Sequence, residues 1–235
     1  MSIVTIDPSH DLASLELFGG LSASALDEVR STARFRQLGR NTRIFNQGDG
    51  GVRAHALIQG SVRISQSGSD GGQVVVRFIT KGEMFGTVAL FTDRRYPADA
   101  ETLVDCVEVS WSEAGLAELM NRYPQIAINV IRIVGKRLQE AQVRVRELAT
   151  QRVERRIAHT LMRLAHRAGR LTAKGTEIEL PLRRKDIADI CGTTLHSASR
   201  ILTPWEKAGW LVTRDQHLTI RELARIRQIA EDTME

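Results

Sequence analysis

Only two of the 235 residues are cysteines, Cys106 and Cys191. Two thiolates cannot hold an iron–sulfur cluster, which generally takes four. No Cys/His grouping has the spacing of a zinc site. His159 and His166 stand seven apart on one predicted helix and read as a solvated face rather than a metal pair. No stretch approaches the roughly 18 consecutive apolar residues of a membrane span. Met1 to Asp11 contains acidic residues and no long apolar run, so no secretory leader is expected there. These absences predict a cytoplasmic protein with reduced thiols and no membrane partner. A nucleophile elbow, a phosphate loop, a metal motif and a framed carboxylate pair are also missing, which argues against an enzyme.

The charge is present, but only at one end. Residues 1–150 hold 17 basic and 17 acidic side chains, and residues 151–235 hold 16 and 11. The whole excess of +5 therefore lies in the last third, which includes Arg152, Arg155, Arg156, Arg183, Arg184, Lys185 and Arg200. A localised basic face attracts phosphate by counterion release, although solvated basic faces are also common.

Within that third, Lys185 to Trp210 reads KDIADICGTTLHSASRILTPWEKAGW. Two short helical patterns meet at Cys191-Gly192. Ala188 lies four residues before Gly192, and Ala198 and Ile201 lie six and nine after it. This is helix-turn-helix spacing: Ala188 allows close approach, Gly192 relieves the turn, and Ile187, Ala198 and Ile201 form the seam. The same pattern also fits an ordinary helical hairpin. The second helix carries Thr193, Thr194, Leu195, His196, Ser197, Ser199 and Arg200. With Lys185, these are the candidates for reaching base edges and phosphates from a major groove.

The first half of the chain has a different texture. Residues 21–31 predict a short helix with a Ser cap and with Leu26 and Val29 inward. Runs at 42–45, 54–57, 61–66, 73–78, 98–102 and 104–111 read as strands separated by Gly-rich turns, hence a sandwich or barrel. A small helix near 112–121 precedes a long one from 124 to 150. Along the long helix Ala127, Ile131, Val134, Leu138, Ala141, Val145 and Leu148 step by four and three, flanked by Arg137, Glu140, Arg144 and Glu147. Such a stripe predicts a two-stranded coiled coil and a homodimer. A second apolar face at Ile126, Ile128, Val130 and Ile133 predicts packing on the chain's own β domain. A helix at 151–168, a strand at 177–181, the helix-turn-helix, a hairpin at 210–220 and a helix at 221–231 make a winged helix. The expected class is α+β, with an antiparallel β-roll over 1–122, a dimerisation helix over 123–150 and a winged helix-turn-helix over 151–235.

In this order the elements resemble the bacterial CRP/FNR transcription regulators over roughly residues 15 to 230. Gly82-Glu83-Met84-Phe85-Gly86, Ala89-Leu90-Phe91 and Ser199-Arg200-Ile201-Leu202 carry the resemblance. It implies a homodimer on near-palindromic double-stranded DNA, one recognition helix per half-site, with RNA polymerase as a further partner. Members that bind cyclic nucleotides have a Glu directly after the Gly-Glu-x-x-Gly turn and an Arg-Ser or Arg-Thr pair ten residues on. Here those positions are Thr87 and Pro97-Ala98, so a cyclic phosphate would lack its bidentate partner. Cyclic AMP is not expected. The cysteine cluster of the oxygen sensors is absent as well. The turn Arg95-Tyr96-Pro97-Ala98-Asp99-Ala100 is similar to that of the nitric-oxide-responsive denitrification regulators, whose members use haem or act without a known ligand.

Any effector pocket is expected to be apolar or planar, lined by Phe78, Met84, Phe85, Thr87, Tyr96, Pro97 and Ala98, and closed by Ile128 and Ile131. Equally, these residues are plain core. In the recognition helix, His196 stands where many relatives have Glu and Leu195 where some have Arg. Arg200 is retained and should take guanine O6 and N7, while Leu195 favours a thymine methyl. The leading expectation is a signal-responsive, sequence-specific transcription factor. The alternatives are a ligand-binding regulator with architectural DNA binding and, last, an enzyme.

Overall fold

The computed structural model describes residues 12–69 and 71–231; the reading of Met1 to Asp11 lies outside them. Two compact units emerge. One comprises the described residues up to Gln66 together with Phe78–Glu140, and the other Ser67–Arg77 together with the residues from Ala141 on. The compact boundary thus falls inside the long helix, and a hairpin tip from the β-rich half groups with the C-terminal half.

Among the described residues the β-rich half carries eight strands, of which β5 falls mostly in the second unit: β1 (Arg34–Leu38), β2 (Arg43–Phe45), β3 (Arg53–Gln59), β4 (Val62–Ser67), β5 (Gln73–Ile79), β6 (Met84–Phe85), β7 (Asp99–Thr102) and β8 (Cys106–Ser112). They form two four-stranded sheets ordered β1-β8-β3-β6 and β2-β7-β4-β5. The core includes Leu57, Ile58, Val109 and Trp111, which are buried. Trp111 meets Phe18 edge-on at 4.9 Å, and its indole N–H donates to Val29 O at 2.9 Å, giving the buried ring its one required partner. Between β3 and β4, Gly60 has φ +98°, and a Cβ there would sit 2.5 Å from Cys106 Sγ. Only glycine fits that turn.

Helix α1 (Ala23–Ser31) is capped by Ser22, whose hydroxyl accepts from Ala25 N. It buries Ala25 and Val29, with Leu26 only half-buried. Helix α2 (Glu113–Arg122) is capped by Ser112 in the same way. Helix α3 (Pro124–Thr150) runs for 27 residues and opens on a proline, whose missing N–H costs nothing at the first helical position. Its N-terminal half buries Ile126 and Ile133 in the core. Asn129 is also buried there and donates to Leu17 O and Gly19 O, each at 2.9 Å. Ile128, expected on that face, is exposed instead.

The second unit contains α4 (Val153–Ala168), β9 (Gly169–Thr172), β10 (Gly175–Ile178), α5 (Arg184–Ile190), α6 (Leu195–Lys207), β11 (Leu211–Arg214), β12 (His217–Ile220) and α7 (Leu223–Glu231). Its sheet is ordered β11-β12-β10-β9, and Ile178, Leu211, Leu218 and Ile220 on it are buried. The strand expected at 177–181 is found at 175–178, paired with β9, which the sequence did not announce. Asp215 and Gln216 form the β11–β12 turn with φ of 49° and 67°, the two left-handed residues of a hairpin turn that matches strand twist.

Candidate nucleic-acid interface

The helix-turn-helix is assembled as its spacing implies. Gly192 has φ +60°, and a Cβ there would meet Leu148 Cδ2 at 2.7 Å. The turn therefore needs glycine for its left-handed conformation, since the Leu148 methyl is the end of an exposed side chain that can move aside. Ile187, Ala188 and Ala198 are buried, and Leu202 and Trp205 continue the seam along α6. Ile201, expected in the seam, is half-buried. The 3.6-residue period, counted from Ala198, brings Leu202 and Trp205 inward in its place.

Thr194 caps α6, its hydroxyl accepting from Ser197 N at 3.1 Å and lying 3.0 Å from Ser197 Oγ. The Thr194 hydroxyl, a candidate for contacting DNA, is thus already used to start the helix, and that of Ser197 meets it. On the outward face Leu195, His196 and Arg200 are exposed, Thr193, Ser197 and Ser199 half-exposed. Among the described residues, the side chains of His196 and Arg200 have no hydrogen-bond or ion-pair partner. An exposed guanidinium with all its donors free is suited to bidentate recognition of guanine or phosphate.

The broad basic face of the sequence reading is largely spent inside the unit. Arg155 donates to Ala230 O, and Arg156 to Cys191 O, Gln151 O and Gly192 O. Arg183 pairs with Asp186 and Lys185 with Asp189, each at 3.0 Å. Arg184 bridges α5 to Thr203 and Glu206 of α6. The correction has two causes: Arg155 and Arg156 satisfy carbonyls near helix ends that would otherwise lack donors, and Arg183, Arg184 and Lys185 pair with Asp186, Glu206 and Asp189. Cations the sequence reading did not single out lie on the outer face of the wing sheet. There a cleft of about 470 Å³ is lined in part by Thr172, Lys174, Arg214, His217 and Arg221.

The expected effector pocket is mostly core. Phe78, Met84, Phe85, Thr87, Tyr96 and Ala98 are buried, Pro97 is exposed, and Ile128 and Ile131 face outward, Ile131 at 71% exposure. Tyr96 stacks on Phe45 with centroids 3.7 Å apart, and Phe85 stacks on His55 at 5.1 Å. Thr87 accepts from Arg137 Nη1 at 3.3 Å, while Arg137 Nη2 donates to Met84 O. Arg94 pairs with Glu113 at 3.0 Å, and Arg95 donates to Gly48 O at 2.9 Å.

Behind the Tyr96 turn runs a buried polar chain that sequence reasoning missed. Arg36 and Glu108 sit opposite each other on β1 and β8, and Arg36 Nε donates to Glu108 Oε2 at 2.7 Å. Glu108 Oε1 lies 2.5 Å from His55 Nδ1, and His55 Nε2 lies 2.9 Å from Tyr96 Oη. Tyr96 Oη accepts from Arg53 N at 2.7 Å. A neutral imidazole protonated at Nδ1 satisfies every member: it donates to Glu108, and Tyr96 donates to its Nε2. Burial pushes His55 down from its ordinary value, against the raising effect of its bond to Glu108. Burial alone would push Glu108 up, but the bonds from His55 and Arg36 outweigh it and hold the carboxyl below its usual range. Isolated polar residues in otherwise apolar strands, such as Glu108 in VEVSW and His55 in AHAL, were the available signal.

A haem iron takes an axial ligand such as His, Cys, Met or Tyr. Both nitrogens of His55 and the hydroxyl of Tyr96 are engaged, and Met84 is packed in the core. The Cys106 thiol is buried on Ser61 O and Val104 O. These buried donors do not fit a haem.

A two-sheet sensor domain followed by a long helix and a winged helix with a free polar face defines a DNA-binding regulator. The comparisons agree. The cyclic nucleotide-binding domain family matches residues 35–123, and the Crp-like helix-turn-helix domain family matches residues 155–229. The nitrogen fixation regulation protein FixK of Rhizobium meliloti is 30% identical over 172 residues, 73% of this chain and 75% of that protein. The CRP-like cAMP-activated global transcriptional regulator of Mycobacterium tuberculosis is 23% identical over 215 residues, 92% of this chain and 96% of its own. In fold, the chain matches the solved structure of FixK2 from Bradyrhizobium japonicum with a TM-score of 0.74 at 22% identity, covering 86% of this chain and 99% of that one. The chain belongs to the CRP/FNR family of DNA-binding transcription regulators, which are not enzymes. Among the described residues no helix is long and apolar enough to cross a membrane.

Proposed function

We propose that the chain works as a cytoplasmic homodimer that reads a near-palindromic operator through α6, cooperates with RNA polymerase, and answers a signal other than cyclic AMP. The observation that carries the reading is the uncommitted pair His196 and Arg200 on the exposed face of a helix whose other polar groups are largely satisfied. Arg200 takes a guanine edge, and His196 sets the neighbouring base pair. The test is a binding selection on randomised half-sites with Arg200→Ala and His196→Glu. Parent base preferences retained in Arg200→Ala would remove α6 as the reader.

The dimer is supported by the stripe on α3. Ile131, Val134, Leu138, Val145 and Leu148 are all exposed in the single chain, a row of apolar side chains that a second helix would cover. Leu138→Asp would place charge in that seam at a cost of several kcal/mol, so sedimentation should show monomers and operator binding should be lost. Of the expected rim charges, Arg137 and Arg144 bond within the chain, and Glu147 is buried against Arg163 at 2.6 Å. They therefore add little to partner choice.

Against cyclic AMP stand Thr87, Pro97 and Ala98 in place of the gripping groups, together with the stacked rings of Phe45, His55, Phe85 and Tyr96. Calorimetry should show no binding at micromolar nucleotide. The nitric-oxide branch remains the favoured signal class on the Arg95–Ala100 turn. A Soret band that shifts with nitric oxide would bring haem back in spite of the engaged buried donors.

A further inference from the structure

Arg144 lies on α3 among the charges flanking the apolar stripe, where a coiled coil would turn it toward a partner. Its guanidinium is used otherwise. Nη1 donates to Val76 O at 2.7 Å, and Nη2 donates to Val75 O at 3.3 Å and to Ile190 O. Val75 and Val76 lie on β5, the edge strand of its sheet, where every second carbonyl points away from the neighbouring strand and is open to another donor. Ile190 ends α5, the first helix of the helix-turn-helix, and a helix C-terminus presents orphan carbonyls with partial negative charge. Arg156 of α4 continues the pattern, donating to Cys191 O at 3.0 Å and Gly192 O at 3.2 Å. Three successive carbonyls of the turn are held by two guanidiniums, and of these two Arg144 is the one that also holds the 67–77 segment.

We propose that Arg144 is a positioning residue for DNA reading: through it, strand β5 of the β4–β5 hairpin sets where the turn places the first residues of α6. From Ile190 the backbone passes through the left-handed Gly192 to the Thr194 cap and then to His196. A shift at Ile190 O is therefore passed to the base-reading side chains within six residues. The planar fork is what allows one side chain to span two elements, and a lysine ammonium at that position offers a single point of charge. No hairpin side chain has to touch DNA. The inference rests on α6 being the reader.

The test uses the full chain in three variants, Arg144→Gln, Arg144→Lys and Arg156→Gln, followed by amide hydrogen exchange without DNA and by operator affinity. Arg144→Gln should speed exchange in 73–78 and in 187–195 together, and weaken operator binding roughly threefold to thirtyfold with the base preferences kept. Arg156→Gln should speed exchange in 187–195 alone, and Arg144→Lys should fall between parent and Arg144→Gln. If Arg144→Gln unfolds the chain, Arg144→Lys decides by the same two readouts. Exchange that changes in only one segment, or in neither, overturns the bridge. Coupled exchange with unchanged operator affinity overturns its role in reading. Failure of α6 as the reader would show separately, as unchanged base preference in Arg200→Ala.

Discussion

His55 and His196 are the same side chain in opposite circumstances. His55 is buried between β8 and the Tyr96 turn with both ring nitrogens bonded, whereas His196 is exposed on α6 with neither bonded among the described residues. A buried polar group must find its partners within the chain, because leaving it unpaired costs about 1–3 kcal/mol. An exposed one keeps its hydrogen-bonding capacity for something outside. The first kind therefore specifies the fold and the second the function, and a residue type alone does not say which is present.

The strongest way to break this comparison is to remove Glu108. Glu108→Ala strands Arg36 and His55 in the sheet and should cost about 3–5 kcal/mol of stability, read by denaturant unfolding. The base preference of the surviving folded fraction should not change. A variant that stays stable but reads different DNA would erase the distinction. Next in size, Arg200→Ala should cost roughly 1–3 kcal/mol per half-site in operator affinity while changing stability by less than about 0.5 kcal/mol. A large loss of stability would mean that Arg200 belongs to the fold after all.

The smallest effect is the pH dependence. His55 is held below its ordinary 6.5 in the folded chain, so the unfolded chain binds a proton that the folded one refuses. Stability from this group is full above about pH 6.5 and falls as the pH drops through that value. Glu108, held below its ordinary 4.5, extends the loss in the same direction at lower pH. Calorimetry from pH 8 to pH 5 should show a falling unfolding temperature, and a flat profile would contradict a neutral buried imidazole.

What could be read from the sequence follows the range of the forces involved. Helix α3 was legible at both ends, because Pro124 sets one and the four-three stripe runs to the other. The helix-turn-helix was legible because its constraints lie within about twenty residues. Strand β1 was not: Arg34 and Arg36 give it little of the β-branched texture that marks a strand. The polar chain in the sensor was invisible for a different reason. Arg36 and Glu108 are 72 positions apart and His55 and Glu108 53, so only strand register brings them together. Likewise, counting arginines showed where charge accumulates but not that Arg155, Arg156 and Arg184 are consumed by backbone carbonyls and Glu206.

The stripe on α3 has one more consequence. It repeats every 3.5 residues, whereas a straight helix turns every 3.6, so from Ala127 to Leu148 the apolar line drifts by about 60° around the axis. Two such lines can stay in register only if both helices wind around each other in a left-handed sense. Phase then becomes a heritable property of the helix. Adding seven residues between Leu138 and Ala141 would preserve the seam, whereas adding a single one would rotate everything beyond it by about 100° and leave the two ends of the stripe facing different directions.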